Sequence, residues 1–524
     1  MSIGEILSEQ ARARPEAVAI VDARGGRIRS LTFAELEREV ADAAEWLRGL
    51  GLKKGGAALV FVPMSADLYV ALLAMFRLGA VALFLDPSAG REHLEQCCAR
   101  WAPDALIGLP RAHGLRVVSA ALRRIPIKIV VGGWAPFARR WMDGAARDGA
   151  ATAPVPLSDD EPALVTFTSG STGVPKAAVR THGFLVAQHR ALAPSIALEA
   201  GEVDLATLPV FTLANLASGV TTVIPDVDLR RPGAVDGGRV CAQIERCHVT
   251  RITASPAFFE RLIAHGRATG MTLPALRKLH TGGAPVFPRL LDVLRALAPN
   301  ARVVAVYGST EAEPIAHLAT EEIDADDHAA MQSGRGLLAG LPVAEVRVRI
   351  LRDRWGTPRG KLNAEEFLRE AMPAGEAGEI VVAGAHVLEG YLGGVGDEET
   401  KFSVAGETWH RTGDAGLCDD RGRLWLLGRC AAKIDDARGG LYPFTVECVA
   451  MTFPEVRRAA VLEHDAKRLL VVESAEAAHT FGERLRQATA WARIDDVRVV
   501  PRLPVDKRHN AKIDYPALRR MVAG

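Results

Sequence analysis

A chain of 524 residues is too long for one ordinary hydrophobic core, so two or more domains are expected. Apolar side chains at 48% predict well-buried globular structure, and a formal net charge of +1 gives no reason to expect nucleic acid or an anionic membrane as partner. Seven cysteines, odd in number and without CxxC or Cys/His zinc spacing, leave no zinc module and predict reduced thiols in a cytoplasmic protein.

The first residues, Met1-Ser2-Ile3-Gly4-Glu5, lack the basic-then-apolar layout of a signal peptide. Residues 1–56 read as helices around a short hairpin, with Ala19-Ile20-Val21 and Leu31-Thr32 flanking the turn-like Ala23-Arg24-Gly25-Gly26. Thr32 is placed to cap a helix over Phe33–Leu50 that stops at Gly51. Alternation follows: strand Ala57–Val62, helix Leu68–Leu78, strand Val81–Leu85, helix Glu92–Arg100, strand Ala105–Ile107. Arg77 and Gly79 interrupt the apolar stretch Leu68–Leu85, which therefore reads as a buried helix and strand and not as an integral membrane segment. Strand and helix in turn, with short connections, predict an α/β fold with a parallel sheet covered on both faces. Further on, Val203–Leu208, Val220–Ile224 and Ile252–Ala254 read as strands. Ala234–Cys247 and Leu290–Leu297 read as helices, and the acidic Glu321–Gly334 as an exposed loop.

The most informative stretch follows the buried strand predicted at Ala163–Phe167: Thr168-Ser169-Gly170-Ser171-Thr172-Gly173-Val174-Pro175-Lys176. Glycines let backbone approach a ligand, hydroxyls and backbone N–H groups ring an anion, and a lysine adds a compact charge. Such a string is built to hold phosphates, yet Gly170 and Gly173 stand too close together for a Walker A loop. It resembles the phosphate-loop signature of the adenylate-forming superfamily of acyl-CoA synthetases, luciferases and peptide-synthetase adenylation domains. The resemblance implies a large N-terminal domain of mixed and parallel sheets flanked by helices (residues 1–428) and a small mobile α+β lid (residues 429–524). It also implies ATP and Mg²⁺ as cofactors, nucleotide contacts along Thr168–Gly173, and catalytic roles for Thr172 and Lys176.

Further signatures of that family recur downstream. Leu279-His280-Thr281 runs into Gly282-Gly283-Ala284-Pro285, which leaves backbone bare beside a docked group and, by resemblance, lines the adenine site. Strand Val303–Val306 leads into Tyr307-Gly308-Ser309-Thr310-Glu311, and ligands sit at strand-end loops of open α/β sheets. Tyr307 can stack on adenine, Thr310 can hydrogen-bond the α-phosphate, and Glu311 offers Mg²⁺ an oxygen ligand. Trp409-His410-Arg411-Thr412-Gly413 sets Asp414 on a turn between strands, where a short carboxylate can accept both ribose hydroxyls. Arg429, after Leu424–Gly428, reaches ribose or phosphate in the resembled family. In the lid, Leu441–Val446, Ala459–Glu463 and Leu469–Val472 read as strands, and Glu447–Phe453 and Phe481–Trp491 as helices. Lys512, in Asn510-Ala511-Lys512-Ile513, matches the family lysine that bridges carboxylate and α-phosphate as they react.

Three departures narrow the resemblance. The histidine common after Pro-x-Phe is replaced in Pro209-Val210-Phe211-Thr212, with Asn215 following. Ala431 occupies the hinge and Asp435 the place of a lysine, in the loop that enters the active site for thioester formation. The last motif reads Lys507-Arg508-His509-Asn510-Ala511-Lys512 without the usual Gly-Lys. These features, with Val223-Ile224-Pro225-Asp226, Pro110-Arg111-Ala112-His113 and Tyr442-Pro443-Phe444-Thr445-Val446-Glu447, resemble the β-lactone synthetases of bacterial olefin biosynthesis. The implied reaction adenylates a 3-hydroxy fatty acid, whose own hydroxyl then closes a four-membered lactone. Phe211, Asn215 and Phe258 are expected in the acyl pocket, and His182, His280 and His509 are candidates for the hydroxyl's base. The alternatives are a fatty acyl-CoA or acyl-carrier-protein ligase and a non-catalytic nucleotide-binding scaffold. Pathway-enzyme partners or a homodimer are left open.

Overall fold

Thr32 starts the first long helix as its position predicts. Its Oγ1 accepts from the Glu35 N–H at 3.2 Å while the Glu35 carboxylate accepts from the Thr32 N–H at 2.8 Å, a reciprocal cap on Phe33–Gly49. The computed structural model describes residues 3–23, 28–85, 90–145, 154–169, 175–476, 478–505 and 513–523. The chain divides into two units, Met1–Asp226 with Leu388–Asp397, and Val227–Val387 with Glu398–Gly524.

In the first unit the expected alternation yields a sheet in the order Arg139–Arg140, Ile127–Val130, Ala105–Gly108, Ala57–Phe61, Val81–Phe84, Pro162–Ser169 and Pro175–Thr181. Neighbours pair parallel until the last two, which form an antiparallel ladder from Pro162↔Thr181 to Ser169↔Pro175. Gly170, Ser171, Thr172 and Gly173 lie between the ends of that ladder, outside the described residues. Helix Ala66–Leu78 buries every residue but Asp67, as a helix apolar all round must. Its one arginine, Arg77, is paired with Glu37 at 2.7 Å. Among the described residues no helix is long and apolar enough to cross a membrane. The hairpin expected near the N-terminus is present as Val18–Asp22 against Arg29–Thr32, and Val18–Asp22 also pairs parallel with Thr221–Ile224.

The second unit carries a mixed sheet. Arg251–Ala254, Lys278–Gly282 and Arg302–Ser309 run parallel. Beyond them Ala312–Ala319, Leu337–Pro342, Leu424–Arg429, Glu407–Cys418, Gly378–Ala383 and Arg347–Leu351 follow antiparallel. After Arg429 comes a smaller β-rich part. Arg458–His464, Lys467–Glu473 and Asp496–Val500 form a three-stranded sheet covered by helices Pro443–Met451, Ala478–Ala488 and Tyr515–Ala523. Val461, Leu470 and Phe481 centre its core on one face and Leu462, Val471 and Leu518 on the other. The protein is thus mixed α/β, with the large sheet-and-helix N-terminal part and small C-terminal part that the sequence predicts.

Three local expectations fail. Glu321–Gly334 is not a loop. Asp324 caps a helix over Ala325–Gln332, its Oδ1 accepting from the Asp327 N–H at 2.8 Å, and Asp327 and Met331 are buried. The acidic composition serves the first helical turn and an ion pair: Asp327 accepts both Arg423 Nη groups at 2.7 Å. Leu441–Val446 is not a strand, because Pro443, at the first helical position, starts helix Pro443–Met451. Asp414 is not on a turn; it lies within strand Glu407–Cys418, directly opposite Arg429.

The Asp327 pair generates a test. Arg423 is 13% exposed and Asp327 4%. Asp327→Ala should therefore destabilise the protein by about 3 kcal/mol, the low end for breaking a buried pair, because Arg423 keeps Asp419. A melting curve superimposable on the parent's would show that the helix and its pair contribute nothing.

Candidate active site

The valine-rich run Val303–Val306 forms the inner part of strand Arg302–Ser309, which delivers Tyr307 at its far end. Thr310 and Glu311 make the two-residue turn into Ala312–Ala319, and Ser309 Oγ braces it by accepting from the Glu311 and Ala312 N–H groups, both at 3.2 Å. Tyr307 donates its hydroxyl to Asp414 Oδ2 at 2.7 Å, and Arg429 Nη1 lies 3.1 Å from Asp414 Oδ1. Asp414 is held from behind by Thr412, whose Oγ1 accepts from the Asp414 N–H at 3.0 Å and donates to the Ile380 carbonyl at 2.9 Å. Burial, and then the Asp414 charge, push the Tyr307 phenol far above its ordinary range. Tyr307 therefore acts as a fixed donor, while Asp414 raises the Arg429 guanidinium further and keeps it charged.

This cluster opens on a cleft of about 1100 Å³, lined by Gly283, Ala284, Pro285, Tyr307, Gly308, Asp414 and Arg429. Seven residues assigned to the nucleotide from sequence thus share one wall. Gly282, Thr310 and Glu311 do not line the cleft. Gly282 is glycine for packing: a Cβ there would stand 2.6 Å from the Val306 carbonyl oxygen. Ala339, Leu426 and Phe444 line the same cleft and carry no motif that would single them out.

In the first unit Lys176 is buried, its ammonium 5.7 Å from the centre of the Tyr391 ring. Gly396 presses on its stem, since a Cβ there would stand 2.4 Å from Lys176 Cε. Arg100 fixes the neighbouring backbone by donating to the Pro175 and Leu392 carbonyls at 2.7 and 3.4 Å. Thr172 and Lys512 lie outside the described residues, and Thr168 and Ser169 end strand Pro162–Ser169. Of the acyl-pocket candidates, Phe211 and Asn215 are buried in helix Pro209–Ser218, where Asn215 Nδ2 donates to Asp204 Oδ2 at 2.9 Å and Thr222 Oγ1 at 3.1 Å. Phe258 is fully buried, edge-on to Phe259 at 6.4 Å. Burial lowers the His182 pKa, and the His280 pKa falls well below its usual value through burial and the adjacent Arg251. His509 lies outside the described residues.

Two residues with no assigned role also line the cleft. Glu447 Oε1 accepts from the Tyr515 hydroxyl at 2.8 Å and the Val461 N–H at 3.2 Å, deep inside the C-terminal part. Its signal in the sequence is a lone charge within the apolar run Pro443–Met451. In the hinge region, Asp435 is paired with Lys433 at 3.0 Å, and Lys433 lies 5.6 Å from the Tyr442 ring centre. Tyr442 in turn donates to Asp353 Oδ2 at 2.8 Å.

A family model described as AMP-binding enzyme matches residues 7–392. The chain is 34% identical to an olefin beta-lactone synthetase of Stenotrophomonas maltophilia, over 98% of this chain and 96% of that one. It is 33% identical to an olefin beta-lactone synthetase of Xanthomonas campestris pv. campestris over the same shares. The fold is similar to that of an amide bond synthetase from Marinactinospora thermotolerans, with a TM-score of 0.80 at 24% identity over 99% of both chains.

Burial pushes the Glu447 carboxyl up to about 7 against Tyr515 and Val461, which pull it down. A carboxyl raised on folding adds stability below its unfolded pKa and loses it as pH rises through the folded value. The parent should therefore lose on the order of 3 kcal/mol between about pH 4.5 and 7 from this group, and Glu447→Gln should flatten that slope in urea melts. Parallel pH profiles for parent and variant would remove the buried carboxyl as the cause.

Proposed function

The chain belongs to the AMP-binding enzyme family, and from that premise we propose that it activates a 3-hydroxy fatty acid with ATP and Mg²⁺ and closes the resulting acyl-adenylate to a β-lactone. Near-full-length identity to two olefin beta-lactone synthetases carries this reading. The geometry supports it. Tyr307 and Arg429 occupy two of the roughly four lone-pair positions of the Asp414 carboxylate. The remainder are available to ribose hydroxyls, while adenine lies between Gly283–Pro285 and the Tyr307 ring.

Activation must overcome a carboxylate whose oxygens cannot leave. A substrate carboxylate oxygen attacks the α-phosphorus of ATP, the bond to the bridging oxygen breaks, and pyrophosphate departs. The negative charges brought together are offset by Lys176, by the phosphate loop Thr168–Gly173 and by Lys512 on the 429–524 lid. Mg²⁺ fits the donor set, because it keeps several waters and needs one or two protein carboxylates. Glu311 supplies one from a braced turn, close enough to raise the Arg429 pKa. When bound, the ion neutralises phosphate charge. In the second step the substrate's 3-hydroxyl oxygen attacks the acyl carbon, its proton is released and AMP leaves. A tethered nucleophile needs no second substrate, in keeping with a hinge loop whose Asp435 is paired with Lys433. Phe211, Asn215 and Phe258 are assigned to the acyl chain. ATP dependence and seven free cysteines accord with a cytoplasmic location.

Incubation with ATP, Mg²⁺ and a 3-hydroxy fatty acid, with and without CoA, should give AMP and a product lighter than the acid by one water in both cases. A thioester that forms only with CoA would move the protein to the ligases. Lys512→Ala should lower adenylate formation by about 10²-fold or more while ATP still binds. Glu311→Gln should raise the Mg²⁺ concentration needed for half-maximal rate, and an unchanged titration would remove Glu311 from the metal's ligands.

A further inference from the structure

The balanced net charge conceals one lopsided segment: from Arg111 to Met142 there are seven Lys or Arg residues and no Asp or Glu. It comprises the connections after two neighbouring parallel strands of the first unit, Ala105–Gly108 and Ile127–Val130, so both connections leave the same edge of the sheet. Arg116 joins them, its Nη2 donating to the Pro136 carbonyl. Within the first, Arg123 Nη1 donates to the Val117 carbonyl at 2.9 Å, and His113 Nε2 lies 2.9 Å from the carbonyl of Ile129 in the second strand.

Four large apolar side chains stand out from this base: Val117 is 80% exposed, Val118 53%, Trp134 65% and Phe137 96%. Trp141, in the same segment, packs edge-on against Trp46 at 5.6 Å, so the segment has an inward face and Trp134 is not on it. Phe137 is the more telling. It occupies the third position of the turn Ala135–Ala138, after Pro136, with φ 56° and the Ala138 N–H donating to the Ala135 carbonyl at 3.3 Å. That position favours glycine, and a bulky residue there is strained. A ring that is almost wholly exposed recovers nothing from packing in this chain. Arginines on the edge strand Arg139–Arg140 deter strand pairing, but that role does not account for exposed rings.

We propose that this face docks the protein peripherally on an anionic lipid bilayer, with Trp134 and Phe137 entering the interface and the arginines on lipid phosphates. Charge complementarity selects the occupant. Glu95, on the adjacent helix, is turned onto Ser119 Oγ at 2.7 Å and the Ala121 N–H, which keep it ionised, so it offsets only one of the seven positive charges. Two copies of so basic a face repel one another across an isologous contact, whereas anionic headgroups attract it and aromatic rings suit the headgroup level. Strand Pro162–Ser169, parallel in the same sheet, ends at this edge too. Docking therefore turns the phosphate-loop edge toward a bilayer holding long-chain acids. That consequence rests on the proposed reaction; the docking does not.

The test is co-sedimentation of the full chain, without ATP or acid, with vesicles of equal parts phosphatidylglycerol and phosphatidylcholine, against phosphatidylcholine alone. Binding should require the anionic lipid and weaken with salt. Phe137→Ser and Trp134→Ser should each lower the partition coefficient roughly tenfold, and Arg139→Gln and Arg140→Gln about fivefold each, with melting temperatures unchanged. Absence of binding to anionic vesicles, or a W134S/F137S variant that binds like the parent, would overturn the proposal. So would a parent oligomer that this double variant dissociates, which would give the face to a second copy.

Discussion

The wall of the cleft formed by Tyr307, Asp414 and Arg429 depends on the register between Glu407–Cys418 and Leu424–Arg429, which sets Asp414 opposite Arg429. A slip of one residue would turn every side chain of the strand to the other face and take Asp414 away from Tyr307. Three residues upstream, the same strand is tied to Gly378–Ala383 on its other side. Arg411 is 1% exposed and donates to both oxygens of the wholly buried Glu379 at 2.7 and 2.9 Å, while Arg359 reaches the same carboxylate at 3.1 Å. Buried ion pairs are weak stabilisers compared with apolar packing, yet removing one partner costs about 3–5 kcal/mol. Another alignment of Glu407–Cys418 with Gly378–Ala383 would strand a charge in the core, while the ladder on that side shifts register between Arg411 and Ala415, beside Asp414.

The same economy of charge runs through the cleft. Tyr307 is kept from ionising by burial and by the carboxylate it serves, so its hydroxyl keeps the proton it donates to Asp414. Asp414 is fixed by Tyr307, Arg429 and the Thr412–Ile380 relay, and these contacts leave it acceptor capacity for the ligand. In the hinge region the charges are spent locally instead. Asp435 pairs with Lys433, and Lys433 lies against Tyr442, which Asp353 anchors.

Motif residues were legible because their spacing is set by chemistry that no turn or core requires. Tyr307, Asp414 and Arg429 are apart in sequence, and the structure brings Tyr307 and Arg429 both within hydrogen-bonding distance of Asp414. Long amphipathic or wholly apolar elements were equally plain, as in Ala66–Leu78 and Phe33–Gly49. What misled were residues whose local chemistry and tertiary setting disagree. Thr412-Gly413-Asp414 has turn composition, but the ladder continues through it with shifts of register on both sides. Glu321–Gly334 has loop composition, but Asp327 finds Arg423 some ninety residues away. Glu447 and Tyr515 were invisible as a pair, since nothing in either's neighbours points to the other.

The product of such a site is decided by what reaches the acyl-adenylate first. A hydroxyl on the same molecule has an effective concentration that, for well-oriented intramolecular reactions, reaches about 10⁵–10⁸ M, well beyond any free thiol in solution. In the reaction proposed above, closing a four-membered ring gives part of that advantage back as strain, so the site would have to hold the chain bent with its oxygen over the acyl carbon. Rigid apolar walls do this better than a mobile loop bearing a charge. If the product is the lactone proposed above, demands on the hinge relax while those on the acyl pocket tighten, and two of the three departures from the family pattern fall at those places, Ala431 with Asp435 and Thr212 with Asn215.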